Sequence, residues 1–138
     1  MTRRTRSIVN AALAITAGMK FDLPSSANWW TWENLDNAQT GLHDHMMYRK
    51  YGYGRLAAQI SVDIRRGLIG RAQAIAMVYE RDGAFPWIYA GVDLERILRP
   101  LRMTVPELKV QLDRYTNWDL FEGEVDWRPI PKREALAA

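Results

Sequence analysis

Both histidines of the chain, His43 and His45, lie in one basic stretch, GLHDHMMYRKYGYGRLAAQISVDIRRGLIG, from Gly41 to Gly70. With Arg71 just beyond it, this region holds six basic residues (Arg49, Lys50, Arg55, Arg65, Arg66 and Arg71) against two acids, Asp44 and Asp63. The local balance is +4, while the whole chain carries +3. Cations interleaved with aromatics and glycines suit the grip of an anion, and arginine offers two-pronged bonds to phosphate or carboxylate. In a helical register His43, Met47, Tyr51, Arg55, Gln59 and Asp63 recur every four residues and form one polar and aromatic row. His43 heads that row and is a candidate general acid, base or hydrogen-bond donor. The plainer alternative is a solvated basic face around an ordinary core helix. A metal site is disfavoured, because one residue between the histidines puts them on different sides of a helix. No nucleophile triad stands out. Gly52-x-Gly54 lacks the third glycine of a dinucleotide loop, and there is no Gly-Lys-Ser/Thr signature.

The element that must position these residues reads as a long central helix. Leu56, Ile60 and Ile64 recur every four residues, with Ala57 beside them. Arg65 and Arg66 suit its C-terminal dipole, and Gly67 its stop. Gly52 and Gly54 each cost about 1 kcal/mol inside a helix. They mark either a close approach by backbone or ligand, or a break between two shorter helices.

Around this centre the pattern predicts an amphipathic helix within residues 1–19, preferred over a secretory signal because Asn10 interrupts the apolar run. Residues 20–40 read as an irregular loop anchored by Trp29, Trp30 and Trp32, with Asp36, Asn37 or Thr40 as a helix cap. A helix follows from Arg71 to Asp82, with Ala72, Ile75, Val78 and Tyr79 as its apolar face and Gly83 as its end. Asp93 would cap a short helix through Leu98. Thr104-x-x-Glu107 is a capping box, with Leu108, Leu112 and Tyr115 as the stripe behind it. From 117 to 138 an acidic, aromatic, proline-bearing stretch reads as an extended tail. The expectation is all-α: one domain over 1–138, about five helices around the long central one, a helical core at 41–116, and an aromatic-rich loop and tail.

A chain of 138 residues with 48% apolar and 25% charged content fits a single globular domain. It has no cysteine, so disulfides, thiolate catalysis and cysteine-held metals are excluded within it. That composition fits a reducing compartment, and a cytoplasmic location with no membrane association is the expectation.

The run from Glu33 to Gly83 also resembles the C-terminal part of the N-acetyl sugar amidotransferase family, enzymes of the PP-loop ATP pyrophosphatase type. The resemblance rests on Gly41-x-His43, Lys50-Tyr51-Gly52-Tyr53-Gly54-Arg55, Asp63-Ile64-Arg65-x-Gly67, Arg71 and Asp82-Gly83, and on the placement of Met103–Thr116. It implies an ATP-dependent amidation in which an acetamido oxygen is adenylated and ammonia displaces AMP. It implies His43 and Asp63 as catalytic residues, Asp63 orienting an arginine or holding a hydroxyl. Lys50, Tyr51, Gly52, Gly54, Arg55, Arg65 and Arg71 would bind the substrate. The family's Ser-Gly-Gly-x-Asp-Ser nucleotide loop and its cysteine pairs are not in this sequence. ATP and Mg²⁺ are therefore expected only on a PP-loop partner, with a glutaminase as a possible further partner and no cofactor in this chain. Such a chain is not expected to act alone. Two readings of other classes compete. One is a small helix-turn-helix-like nucleic-acid binder, with residues 71–116 as its helices and Arg3, Arg4 and Arg6 as an arm. The other is a structural subunit of a homo-oligomer or larger assembly.

Overall fold

The computed structural model describes residues 3–19 and 25–132. Its centre is an elbow. Helix α2 (Thr40–Tyr51) stops at Gly52, whose φ of 79° is left-handed and whose N–H bonds the Tyr48 carbonyl at 2.8 Å. Helix α3 (Arg55–Arg65) starts three residues later. The single long helix is therefore replaced by two shorter ones, which is the second of the two meanings open for Gly52 and Gly54. The restart has a remote cap. The Asp82 carboxylate accepts the N–H of Gly54 at 2.7 Å and of Leu56 at 3.1 Å, donors that a helix start otherwise leaves unpaired.

Asp82 belongs to the end of helix α4 (Arg71–Arg81), which packs back along α3. Leu56, Ile60 and Ala74 are buried between them, with Ile64, Ile69, Met77, Val78 and Trp29 against the cluster. Only Ala74 of α4 is fully buried, while Ala72 and Ile75, expected on its apolar face, are exposed. A second cluster gathers Leu42 of α2, Phe85, Leu94 and Leu98 of α5 (Leu94–Leu98), and Leu108 and Leu112 of α6 (Val105–Tyr115). The capping box of α6 is formed, with Glu107 accepting the Thr104 N–H at 2.8 Å and Thr104 Oγ1 accepting that of Glu107. Tyr115, predicted to end the apolar stripe, stands exposed. Near the N-terminus α1 (Arg3–Thr16) is helical, with Ala11 buried and Leu13 and Ile15 exposed.

The fold is not purely helical. Six α-helices among the described residues are joined by two small antiparallel sheets. Strands β1 (Ile88–Tyr89) and β2 (Val92–Asp93) form a minimal hairpin between α4 and α5. Strands β3 (Phe121–Val125) and β4 (Arg128–Pro131) form a second, with a register shift between Phe121 and Gly123. The expected extended tail is thus a folded hairpin up to Pro131. Its acids and two prolines obscure the strand pattern in sequence, although β4 alternates between half-buried and buried residues. Tyr48 donates its hydroxyl proton to the Pro129 carbonyl at 2.8 Å and packs its ring 5.3 Å from Phe121.

Candidate functional site

Six residues of the elbow, Lys50 to Arg55, are the strongest piece of the resemblance, and the structure shows what holds them. Arg55 opens α3 and reaches back to α2. Its Nε and Nη2 each donate to the Asp44 carboxylate at 2.9 Å, the two-pronged geometry that fixes a guanidinium in orientation. These bonds hold Arg55 more firmly protonated than usual. Asp44 is nearly buried, while Arg55 keeps an exposed flank. On the other side of Asp44, His43 Nδ1 lies 3.2 Å from Oδ1, with the imidazole three-quarters exposed. An Nδ1–H donated to Asp44 leaves Nε2 facing outward as an acceptor. His43, Asp44 and Arg55 therefore form one hydrogen-bonded chain across the elbow, a link the four-residue row did not show.

Lys50 and Tyr51 end α2 beside it, exposed, with the ammonium 5.2 Å from the ring centre. Tyr53 stacks obliquely on Tyr51 at 6.3 Å. Gly54 sits so close to Asp82 that a Cβ would fall 2.7 Å from its carboxylate. Burial raises that carboxyl to about 6, against the pull of N–H bonds from Gly54, Ala57 and Leu56 and the charge of Arg128.

The remaining candidates lie elsewhere. The length of α3 puts Arg65 about 15 Å from the elbow, and Arg71 starts the next helix. Both are exposed, and among the described residues neither pairs with a carboxylate. Asp63 is buried and accepts the indole N–H of Trp29 at 2.7 Å and of Trp30 at 3.2 Å. One turn earlier Gln59 accepts the backbone N–H of Trp29 at 2.7 Å and donates to Glu33 at 2.9 Å. Together they pin the tryptophan loop to α3. The row thus divides, with His43 and Arg55 joined through Asp44 and with Gln59 and Asp63 turned to the loop.

Sequence reasoning passed over Arg49, which counted there only as one more charge. It is 1% exposed and the most connected side chain of the molecule's centre. Nε donates to His45 Nε2 at 2.9 Å, Nη1 to Thr116 Oγ1 at 2.6 Å and Asp113 at 3.3 Å, and Nη2 to the Trp127 carbonyl at 3.0 Å and to Glu124. His45, whose Nδ1 bonds the Gly83 carbonyl at 2.9 Å, is pushed down to about 3 by burial and by the Arg49 charge. It is a neutral structural ligand of Arg49. The one signal for this pair was its spacing of four residues, and for Asp44 its position between two histidines.

The family described as LPS biosynthesis protein WbpG-like, C-terminal domain, matches residues 20–133. The chain belongs to this family, which is the C-terminal part of a sugar amidotransferase-like group. No curated protein and no solved structure matches it. Among the described residues, no helix is long and apolar enough to cross a membrane.

Proposed function

We propose that this chain is the C-terminal-type module of an ATP-dependent N-acetyl sugar amidotransferase-like enzyme of polysaccharide biosynthesis, completing a PP-loop ATPase supplied as a partner. The observation that carries this reading is the His43–Asp44–Arg55 chain at the elbow, inside the matched region. Arg55 and Lys50 offer positive charge to a diphosphate or a departing pyrophosphate, where preorganised cations lower the cost of developing charge. The exposed His43 imidazole, anchored by Asp44, offers a hydrogen-bonding edge to a substrate, and Tyr51 supplies an aromatic wall. Arg65 at the end of α3 and Arg71 at the start of α4 extend the positive field, and Asp63 supports the site by fixing the tryptophan loop. ATP and Mg²⁺ bind the partner, ammonia comes from a glutaminase, and the complex works in the cytoplasm.

The test is a tagged purification from the native host with mass spectrometry, followed by an assay of AMP release on any complex recovered. A PP-loop ATPase should co-purify, and Arg55→Ala should cut AMP release at least tenfold in a chain that still folds, at a stability cost of about 1–3 kcal/mol for the Asp44 carboxylate left without its guanidinium. An Arg55→Ala protein that unfolds, or a complex whose AMP release is unchanged, would remove Arg55 from the site.

A further inference from the structure

Between α2 and α6 runs a groove of about 490 Å³, floored by Leu112 and Met47 and walled by Met46, Tyr51 and Tyr115. Met46, Tyr51 and Tyr115 are each 44–60% exposed, unusual for large apolar side chains clustered on a small domain. Unbranched methionines adapt to a partner's shape, tyrosines are frequent anchors of interfaces, and a trough between two helices fits a third helix.

The charges around the groove select among occupants. His43, Arg49 and Lys50 line it, and among the described residues no acidic one does. Arg49 is neutralised by Glu124 and Asp113, but Lys50 pairs with no carboxylate among the described residues. Nor does Arg114, whose guanidinium lies 5.6 Å over the Tyr115 ring. The chain's own exposed amphipathic helix, α1, carries Arg3, Arg4 and Arg6 and no acid, so a second copy would bring cations to cations.

Building on the partner reading above, we infer that the α2–α6 groove docks one amphipathic helix of the partner subunit. Its apolar seam lies on Met46, Met47 and Tyr115, and its flanking carboxylates face Arg114, leaving Lys50 to the elbow. Docking there sets the partner beside the elbow, because Lys50 and Tyr51 close the groove at that end.

The experiment places p-benzoylphenylalanine at Met46 of the tagged chain in its native host, irradiates, and sequences the cross-linked peptide. Co-purification is compared for wild type, Met46→Glu, Tyr115→Glu, Arg114→Glu and, off the groove on α6, Val110→Glu. The cross-link should fall on an acid-flanked amphipathic helix of the PP-loop ATPase. The three groove and rim variants should lose at least tenfold of that protein at low salt, and high salt should weaken the wild-type capture and narrow the Arg114→Glu deficit by screening, while Val110→Glu keeps it. If wild type recovers the ATPase and the groove variants recover it equally, the docking surface is wrong and the functional reading stands. If wild type recovers no ATPase, both fall. A cross-link to a second copy of this chain, with a dimer seen by light scattering, overturns the proposed occupant.

Discussion

Replacing Arg49 by methionine tests the account of the molecule's centre. The substitution keeps much of the apolar stem and removes the guanidinium fork. Thr116 Oγ1 keeps its bond to the Leu112 carbonyl at 2.6 Å, and Asp113 and Glu124 keep Lys109 at 2.5 and 2.9 Å. The acceptors left bare are His45 Nε2 and the Trp127 carbonyl, each costing about 1–3 kcal/mol when buried without a donor. Together with the lost attraction to two carboxylates, this gives a destabilisation of about 3–5 kcal/mol, the usual scale for breaking a buried pair from one side. For a chain of this size that lowers the melting temperature by roughly 12–20 °C. Urea unfolding followed by tryptophan fluorescence measures it directly, since Trp127 sits at the Arg49 contact. A loss below about 1 kcal/mol, within the range of an ordinary surface change, would refute the idea that Arg49 ties the β3–β4 hairpin to the helices.

Further outcomes are open to the same measurements. His45 stays neutral down to about 3, so the unfolded chain takes up a proton below the ordinary 6.5 that the folded chain refuses, and stability drains away as pH falls between these values. Asp82, raised from 3.8 to about 6, works in the opposite sense, adding stability as pH falls through that window. His45→Gln should therefore remove the destabilising limb, and its stability relative to wild type should improve by about 1.4 kcal/mol per pH unit from 6 down to 4; a pH-independent difference in urea midpoints would count against a neutral His45. Gly83→Ala should cost about 2–5 kcal/mol, because φ is 71° and the new methyl would overlap the Tyr48 ring; a normal melting curve would show that the contact relaxes freely. Thr104→Ala should cost about 1 kcal/mol through loss of the capping box, read from the same denaturation curves, and Thr104→Ser should restore most of it.

The readable parts of this fold were the ones decided by neighbours in sequence. Thr104 and Glu107 meet within one turn, the break at Gly52 is one of the two meanings its backbone freedom leaves open, and Asp93 stands directly before α5, although its side chain makes no cap bond. The unreadable parts depend on residues far apart in the chain. Nothing local shows that Asp82 caps a helix starting at Arg55, or that Glu124 reaches Arg49 across 75 positions. The β3–β4 hairpin was missed for that reason, since prolines and acids obscured a segment whose pairing is enforced from outside it. The site divides similarly. Its residue types and block were visible, but the bond from His43 through Asp44 to Arg55 requires the bend at Gly52, which brings the start of α3 against the first turns of α2.

The cap on α3 also fixes how the elbow can breathe. Because the carboxylate that closes the start of α3 belongs to the end of α4, neither end can fray without the other. Opening becomes a single cooperative event, and the amides of Gly54 and Leu56 are its reporters in hydrogen exchange. Because burial raises the Asp82 carboxyl to about 6, opening the bend, which returns it toward its ordinary 3.8, becomes harder as pH falls through this window. Protection of these two amides, corrected for the intrinsic pH dependence of exchange, should therefore rise together below that pH. A ligand or partner held at the elbow would slow both in step, a kinetic signature that distinguishes occupancy of this bend from contact elsewhere on the surface.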